Sequence, residues 1–432
     1  MHDFHYVGSE LHCEGVPIKT LVERHGTPLY VYSQHTLTDH FQKLDRALSP
    51  LNHLICYAMK ANSNQAVMRT LANLGSGFDT VSEGELRRVI AAGGKVNQCV
   101  FAGVGKTEGE IEFALKHGIY CFNAESEPEL ERINRVAEKL RKKAPIAVRV
   151  NPNIDAGTHA KITTGTYENK FGIAFERVES VYARASKLKN LRLLGIQMHI
   201  GSQLTEVAPF EKAVRKLAPL AAKLSAKYGF KFISIGGGLG IVYQPALESG
   251  SQTWWKTTAA RKILTPSIYA STLVPLLQPL GLRVLLEPGR FIVGNAGALI
   301  TRVEYVKRTG KKNFVIVDAA MNDLIRPAFY DSYHEIVTVQ GKGSGRVASD
   351  VVGPICESGD YFAKDRSLPK VGEGDHLALL SAGAYGAVMG SNYNSRALAA
   401  EVLVNGKDSA LVRERQDLKE IWKHESIPAW LK

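Results

Sequence analysis

An α/β architecture, a (β/α)8 barrel of the TIM type followed by a mostly β domain, is the fold class this sequence predicts. Three observations predict it. Eight short β-branched or apolar runs recur through the first two thirds of the 432 residues, amphipathic segments separate them, and after Arg290 helical periodicity gives way to strand-like runs.

The eight runs are 53–58, 77–81, 98–101, 119–122, 146–150, 193–200, 232–235 and 282–286; the clearest amphipathic stretches between them are 83–92, 108–117, 127–141 and 210–228. Parallel strands cannot be joined by a tight hairpin, so strand-then-helix repetition reads as a parallel sheet with crossover helices. Eight repeats in a span of this size suit a closed barrel. Beyond residue 293, runs at 314–317, 335–339, 347–351, 377–380, 399–404 and 408–412 predict a β domain of sandwich or barrel type. Asn405-Gly406 lies between the last two and is expected to form a two-residue hairpin turn, because both residues tolerate positive φ. The strand Tyr30-Val31-Tyr32 is expected to join the β domain before the chain enters the barrel. The expected organisation is an N-terminal segment 1–34 belonging to the β domain, a barrel 35–292 and a C-terminal β domain 293–432. No internal repeat or low-complexity segment interrupts it.

Composition narrows the function classes. Hydrophobic residues at 45% and charged residues at 22% are ordinary for a protein with a real core. No stretch approaches the ~18 apolar residues of a membrane span, and Met1-His2-Asp3-Phe4-His5 carries no apolar signal segment. The expectation is therefore a cytoplasmic protein with no membrane partner. Cys13, Cys56, Cys99, Cys121 and Cys356 show no metal-ligand spacing, and no metal is expected. Cys56, Cys99 and Cys121 sit in apolar runs and read as buried hydrophobes, whereas Cys356 stands among polar and glycine residues. The net charge of +12 is scattered, with no aromatic-basic motif, so nucleic acid is not expected; a phosphorylated cofactor and a carboxylate substrate also favour a positive field.

Barrel enzymes carry their chemistry where the strands end. Strand 1 ends in Tyr57-Ala58-Met59-Lys60-Ala61-Asn62 and strand 2 holds Asp79; strand 6 ends in His199-Ile200-Gly201-Ser202-Gln203, strand 7 in Gly236-Gly237-Gly238 and strand 8 in Glu287-Pro288-Gly289-Arg290. Each has a bland alternative. Lys60 is either a solvated charge or, in a dry pocket, a nucleophile toward aldehydes. The three glycines are a flexible turn or a phosphate nest of free N–H groups. His199 is a satisfied core histidine or a flat ring stacked on a cofactor. Glu287 is a surface carboxylate or the partner that keeps a pyridine nitrogen protonated. Any one is weak, but all of them converge on one rim.

Y-A-x-K-A-N, H-I-G-S-Q, G-G-G and E-P-G-R, in that order, resemble the fold-type III, barrel-fold pyridoxal-phosphate decarboxylases, which include enzymes acting on ornithine, arginine and diaminopimelate. Arg326-Pro327-Ala328-Phe329-Tyr330, Cys356-Glu357-Ser358-Gly359-Asp360 and Ala382-Gly383-Ala384-Tyr385-Gly386 make the chain similar to the diaminopimelate branch, from about Thr27 onward. The resemblance implies a lyase that uses pyridoxal 5'-phosphate to convert meso-2,6-diaminopimelate to L-lysine and CO2, the last step of bacterial-type lysine biosynthesis. It implies that Lys60 forms the internal Schiff base and that Asp79 belongs to the cofactor site. Gly236, Gly237, Gly238, Ser202 and the backbone of Glu287, Pro288, Gly289 and Arg290 hold the phosphate; His199 stacks on the ring and Glu287 meets its nitrogen. Tyr385 lies near cofactor and substrate. Arg290, Arg326 and Tyr330 bind the distal carboxylate, Glu357 the distal ammonium, and Cys356 supplies a proton from the partner subunit of a homodimer.

Charge supports the substrate independently. A bare distal ammonium asks for acidic groups, whereas a distal carboxylate asks for an arginine fork, and Arg326 with Tyr330 supplies that. A surface salt bridge is the other reading of Arg326. An amino-acid racemase, an arginine or ornithine decarboxylase and a cofactor-binding regulator stay open at this point.

Overall fold

The eight expected strands close into a parallel barrel. A computed structural model describes residues 2–154, 170–341 and 345–431. The chain divides into two units: Leu37–Ile241 with Thr258–Ile292, and Met1–Thr36 with Val242–Thr257 and Val293–Lys432.

The first unit is the barrel. Its strands are β1 His53–Ala58, β2 Gly77–Thr80, β3 Cys99–Phe101, β4 Cys121–Ala124, β5 Ala144–Asn151, β6 Leu191–Met198, β7 Phe232–Ser234 and β8 Arg283–Leu286. Each pairs in parallel with the next, and Val284 opposite His53 closes β8 onto β1. β4 starts two residues later than the sequence suggests. Gly118-Ile119 instead finish the preceding helix, where Ile119 N–H donates to Ala114 O at 3.0 Å.

Helix caps keep the strand-to-helix turns short. The side chains of Ser82, Thr107 and Ser126 accept the N–H of Glu85, Glu110 and Glu129, and Thr107–Glu110 is a reciprocal capping box. Each cap satisfies an otherwise orphaned helix N–H, worth about 1 kcal/mol, and acidic residues in the first turn complement the helix dipole. Inside the barrel Leu54, Cys56, Val100, Cys121, Ala147, Phe232 and Leu285 form one apolar cluster. Cys56 and Cys121 are wholly buried there, as small hydrophobes.

The second unit is built on the twelve-residue strand Gly297–Arg308, which pairs antiparallel with Leu29–Ser33, Asn313–Val317 and His376–Leu379. Leu29–Ser33 also pairs in parallel with Ala400–Asn405, so the N-terminal strand is built into the C-terminal sheet. Strands Ile336–Thr338, Arg346–Val352, Tyr361–Pro369 and Asp408–Arg413 extend the unit. A small sheet, Phe4–Val7, Glu10–Cys13 and Val16–Pro17, places Phe4, Leu11, Cys13 and Val16 in the core that also holds Leu29, Val31, Ala298, Ile300, Val402 and Val404.

The C-terminal hairpin corrects one expectation. Asn405 pairs with Asp408, so Gly406-Lys407 is the turn rather than Asn405-Gly406. Only Gly406 has positive φ, at 61°. That is the pattern of a turn with glycine at its first central position, so Asn405 is free to complete the strand. Among the described residues no helix is long and apolar enough to cross a membrane.

Candidate active site

Lys60 follows β1 in a single 3-10 turn, Met59–Ala61. The strand buries five consecutive residues, Leu54–Ala58, and the turn then leaves the lysine side chain 42% exposed at the rim. Ala58 pairs with Asp79 in the β1–β2 register, which sets the two side chains together: Lys60 Nζ lies 2.6 Å from Asp79 Oδ2. Asp79 is 1% exposed, and its Oδ1 meets no donor among the described residues. A buried carboxylate half-satisfied by one lysine is a fixed negative charge that keeps the amine at the rim.

Glu287 follows β8. Its N–H donates to Gly236 O at 2.9 Å, joining the ends of β7 and β8. Its carboxylate is buried and takes three donors: Ser234 Oγ at 2.7 Å and Asn123 Nδ2 at 3.4 Å on Oε1, and Gln197 Nε2 at 2.9 Å on Oε2. Burial, and then the charge of Asp79, push this carboxyl up to about 7, against the pull of the Ser234 hydrogen bond. Such a group can trade a proton with a pyridine nitrogen near neutral pH.

His199 comes just after β6. Its Nδ1 accepts the N–H of Gly237 at 3.2 Å, so the neutral ring carries its proton on Nε2. Burial first, then Arg149 and Lys60, hold its pKa well below the ordinary histidine range. The ring is therefore a neutral flat surface, as stacking requires.

The glycine loop is tight for reasons of packing. A Cβ on Gly236 would run into Met198 O, one on Gly237 into Glu287 O, and one on Gly238 would lie 2.6 Å from Gly201 O. Gly236 and Gly238 also have positive φ, 70° and 113°. Two N–H groups of the nest that the sequence left open are already engaged: Gly236 N–H is held by Ser234 Oγ and Gly237 N–H by His199 Nδ1, both at 3.2 Å. The loop is anchored from within, and any anion there must rely on the rest of the cradle. Ser202 and Arg290 belong to it: Arg290 Nη2 donates to Ser202 Oγ at 3.1 Å. Pro288 and Gly289 tie it to β1, where Ala58 N–H donates to Pro288 O and a Cβ on Gly289 would sit 3.1 Å from Ala58 O.

The remaining predicted residues lie in the β unit. Arg326 opens the short helix Arg326–Tyr330 and is 5% exposed; its guanidinium donates to Tyr243 Oη at 2.6 Å, Ser332 Oγ at 3.1 Å and Ala384 O at 3.4 Å. It is not a surface salt bridge. Ala384 O, beside Tyr385, thus ties Arg326 to the Tyr385 loop, in which Tyr385 has φ 56°. Cys356 and Glu357 are exposed on a loop clamped by buried Asp360, whose carboxylate accepts the N–H of Ile355 and Met321, each at 2.7 Å. Tyr393 hydrogen-bonds Glu357, and Asn394 Oδ1 accepts the N–H of Cys356. Phe329 and Tyr330 meet edge to face at 4.7 Å between centroids.

Three site residues escaped the sequence reading: Asn123, Gln197 and Ser234. Each is a polar residue in a mostly apolar strand, and that is the signal that would have found them. A further buried pair, Arg149 Nη1 to Glu125 Oε1 at 3.0 Å, lies at the ends of β5 and β4, with Glu125 also accepting the N–H of Gly103 and Gly172.

These groups fit pyridoxal phosphate. An amine stands at the rim for the aldehyde, a carboxyl near neutrality for the ring nitrogen, a neutral flat imidazole, and a glycine cradle with Ser202 and Arg290 for the phosphate. The orphaned Asp79 Oδ1 leaves room for one more donor. The comparisons agree. Residues 34–294 match the pyridoxal-binding domain of pyridoxal-dependent decarboxylases. The chain is 49% identical to diaminopimelate decarboxylase of Vibrio cholerae over 97% of both chains, and 48% identical to that of Pseudomonas aeruginosa over 99% of both. The crystal structure of diaminopimelate decarboxylase from Helicobacter pylori complexed with L-lysine matches with a TM-score of 0.88 at 40% identity, covering 94% of this chain and 99% of that one. With its barrel, its Lys60–Asp79 pair and its full-length similarity to these enzymes, the chain belongs to the diaminopimelate decarboxylase family.

Proposed function

We propose that this enzyme removes CO2 from one end of meso-2,6-diaminopimelate and releases L-lysine. The observation that carries the reading is Lys60 at the first strand end, paired with buried Asp79 at 2.6 Å, on the rim that also holds Glu287 and the glycine loop. Pyridoxal phosphate, when bound, supplies the electron sink that accepts the pair left behind by the departing carboxylate.

The chain's own residues bind and orient. Lys60 Nζ would hold the aldehyde carbon and later release the product. Gly238, Ser202 and Arg290 would hold the phosphate, His199 would support one ring face and Glu287 the ring nitrogen. Arg326 and Tyr330 would grip the distal carboxylate, because a buried guanidinium fork pairs with a carboxylate bidentately. Glu357 would hold the distal ammonium beside it, and Tyr385 would lie against cofactor and substrate. Cys356 Sγ would return one proton to the reacting carbon. Relatives named for diaminopimelate support this substrate over ornithine or arginine.

The working form is a homodimer, each barrel receiving Cys356 and Glu357 from its partner; the exposure of that clamped loop supports this arrangement. A cytoplasmic location fits five free thiols. The test is incubation of the pyridoxal-phosphate-loaded protein with meso-diaminopimelate, scoring CO2 and L-lysine. Equal turnover of ornithine or arginine, or racemisation without CO2, would sink it.

A further inference from the structure

Gln197 on β6 and Ser234 on β7 are register partners on adjacent parallel strands, and both donate to Glu287, one to each carboxylate oxygen. Asn123 reaches Oε1 from β4. All three are essentially inaccessible, at 1%, 0% and 0% exposure, so water does not replace them. The orientation of the two amides is informative. Gln197 Oε1 and Asn123 Oδ1 meet no donor among the described residues. Buried amide oxygens are ordinarily satisfied. Here both amides spend their NH2 groups on Glu287 and leave their carbonyls unpaired, which suits an ionised carboxylate and not a protonated one. A protonated carboxyl would need an acceptor, and either amide offers one on turning over.

We infer that Gln197 and Ser234 are positioning residues that fix the orientation of the Glu287 carboxylate and hold it ionised, so that the single proton shared with the cofactor's ring nitrogen stays on the nitrogen. The inference rests on the assignment of Glu287 to that nitrogen. The charged groups acting on Glu287 are Asp79 from β2, which opposes ionisation, and Lys60 beyond β1, which favours it. Cys56 on β1 and Cys121 on β4 face the same interior as neutral thiols. Burial and Asp79 therefore work against the charge, and the two donors from β6 and β7 offset part of that opposition. Without either, the proton moves from the ring to the carboxyl, and the ring becomes a weaker electron sink.

The test uses holoenzyme loaded with pyridoxal phosphate labelled with nitrogen-15 in the ring, whose chemical shift reports whether that nitrogen carries a proton. Wild type is expected to show the protonated signal at neutral pH. Ser234→Ala and Gln197→Leu should each move it toward the unprotonated position and lower kcat at least tenfold, with KM for diaminopimelate within about twofold. Ser234→Thr keeps the hydroxyl and should restore both. Thermal melting of each loaded variant checks folding, and Gln197→Leu stands in if Ser234→Ala does not fold. Folded variants that lose kcat with the ring signal unchanged, or keep both, would overturn the inference. An unprotonated ring in wild type would instead overturn the Glu287 assignment itself.

Discussion

Lys60 and Asp79 form an asymmetric ion pair: the lysine side chain is 42% exposed and the aspartate 1%, with Nζ and Oδ2 2.6 Å apart. The buried partner cannot move to follow the amine, so the amine is held where the aspartate puts it.

The loaded enzyme should therefore carry its visible cofactor absorbance through Lys60. Borohydride reduction followed by peptide mapping should place the label on that residue. A label on any other lysine, Lys106 included, would overturn the assignment. Lys106 is a sharp control, because its Nζ is already consumed by Gly103 O, Asn123 O and Glu129 Oε1 at 2.7–2.9 Å.

Arg326→Ala should hurt diaminopimelate turnover far more than cofactor binding. Losing a charge-assisted contact to a buried carboxylate costs on the order of 2–5 kcal/mol. The variant also strips Tyr243, Ser332 and Ala384 of a donor, so its melting temperature should fall as well. Arg326→Lys separates the two effects: it keeps a charge but loses the fork, and should recover stability better than kcat/KM. Equal loss of cofactor and substrate affinity in Arg326→Ala would point to a purely structural role.

The barrel and most of its rim were legible in the sequence because local rules and the global fold agree there. Apolar runs end in glycine, lysine or acid, and Ser82, Thr107 and Ser126 announce the next helix. The polar layer of Asn123, Gln197 and Ser234 was not. Its members look like defects in apolar strands until closure of the barrel points them at one carboxylate. The strand Gly297–Arg308 was hidden for a related reason: its first half is buried on both faces and lacks alternation. Tyr361–Pro369 was hidden by Lys364-Asp365-Arg366, where Asp365 takes a positive φ of 47° and the register with the neighbouring strand shifts. The irregularity lets three charged residues sit in a strand.

Glu287 gives the cofactor-free protein a predictable pH dependence. Its carboxyl is raised from 4.5 to about 7, chiefly by burial. Between those values the folded chain holds a proton that the unfolded chain has released. This group's contribution therefore weakens folding progressively as pH rises through that window, and the penalty is complete above it. Glu287→Gln removes the charge and keeps the shape, and Gln197 Oε1 can accept the new NH2. The cofactor-free variant should be more stable than wild type at pH 8 by about 3 kcal/mol, with the gain fading toward pH 4.5. Denaturant titration across that range checks it, and kcat of the loaded variant should collapse. A gain that is constant with pH would sever the link to Glu287 ionisation.

The active site should be shared between two chains. Cys356 and Glu357 are exposed on a loop that the β unit clamps through Asp360, and the proposed reaction would use them at a barrel rim. A twofold dimer delivers the loop of each subunit to the barrel of the other. The Lys60→Ala and Cys356→Ala variants, unfolded and refolded together, distinguish the arrangements without further structure. In a mixed dimer both lesions then fall in one site, and the other site is native. Random pairing makes about half the dimers mixed, so roughly a quarter of all sites should regain activity under isologous symmetry. Each variant refolded alone should stay at its own low rate. If Cys356 instead served the barrel of its own chain, every site in every dimer would carry one lesion, and mixing would restore nothing. Mixed dimers shown to form by differential tagging, with no activity recovered, would therefore rule out the shared site.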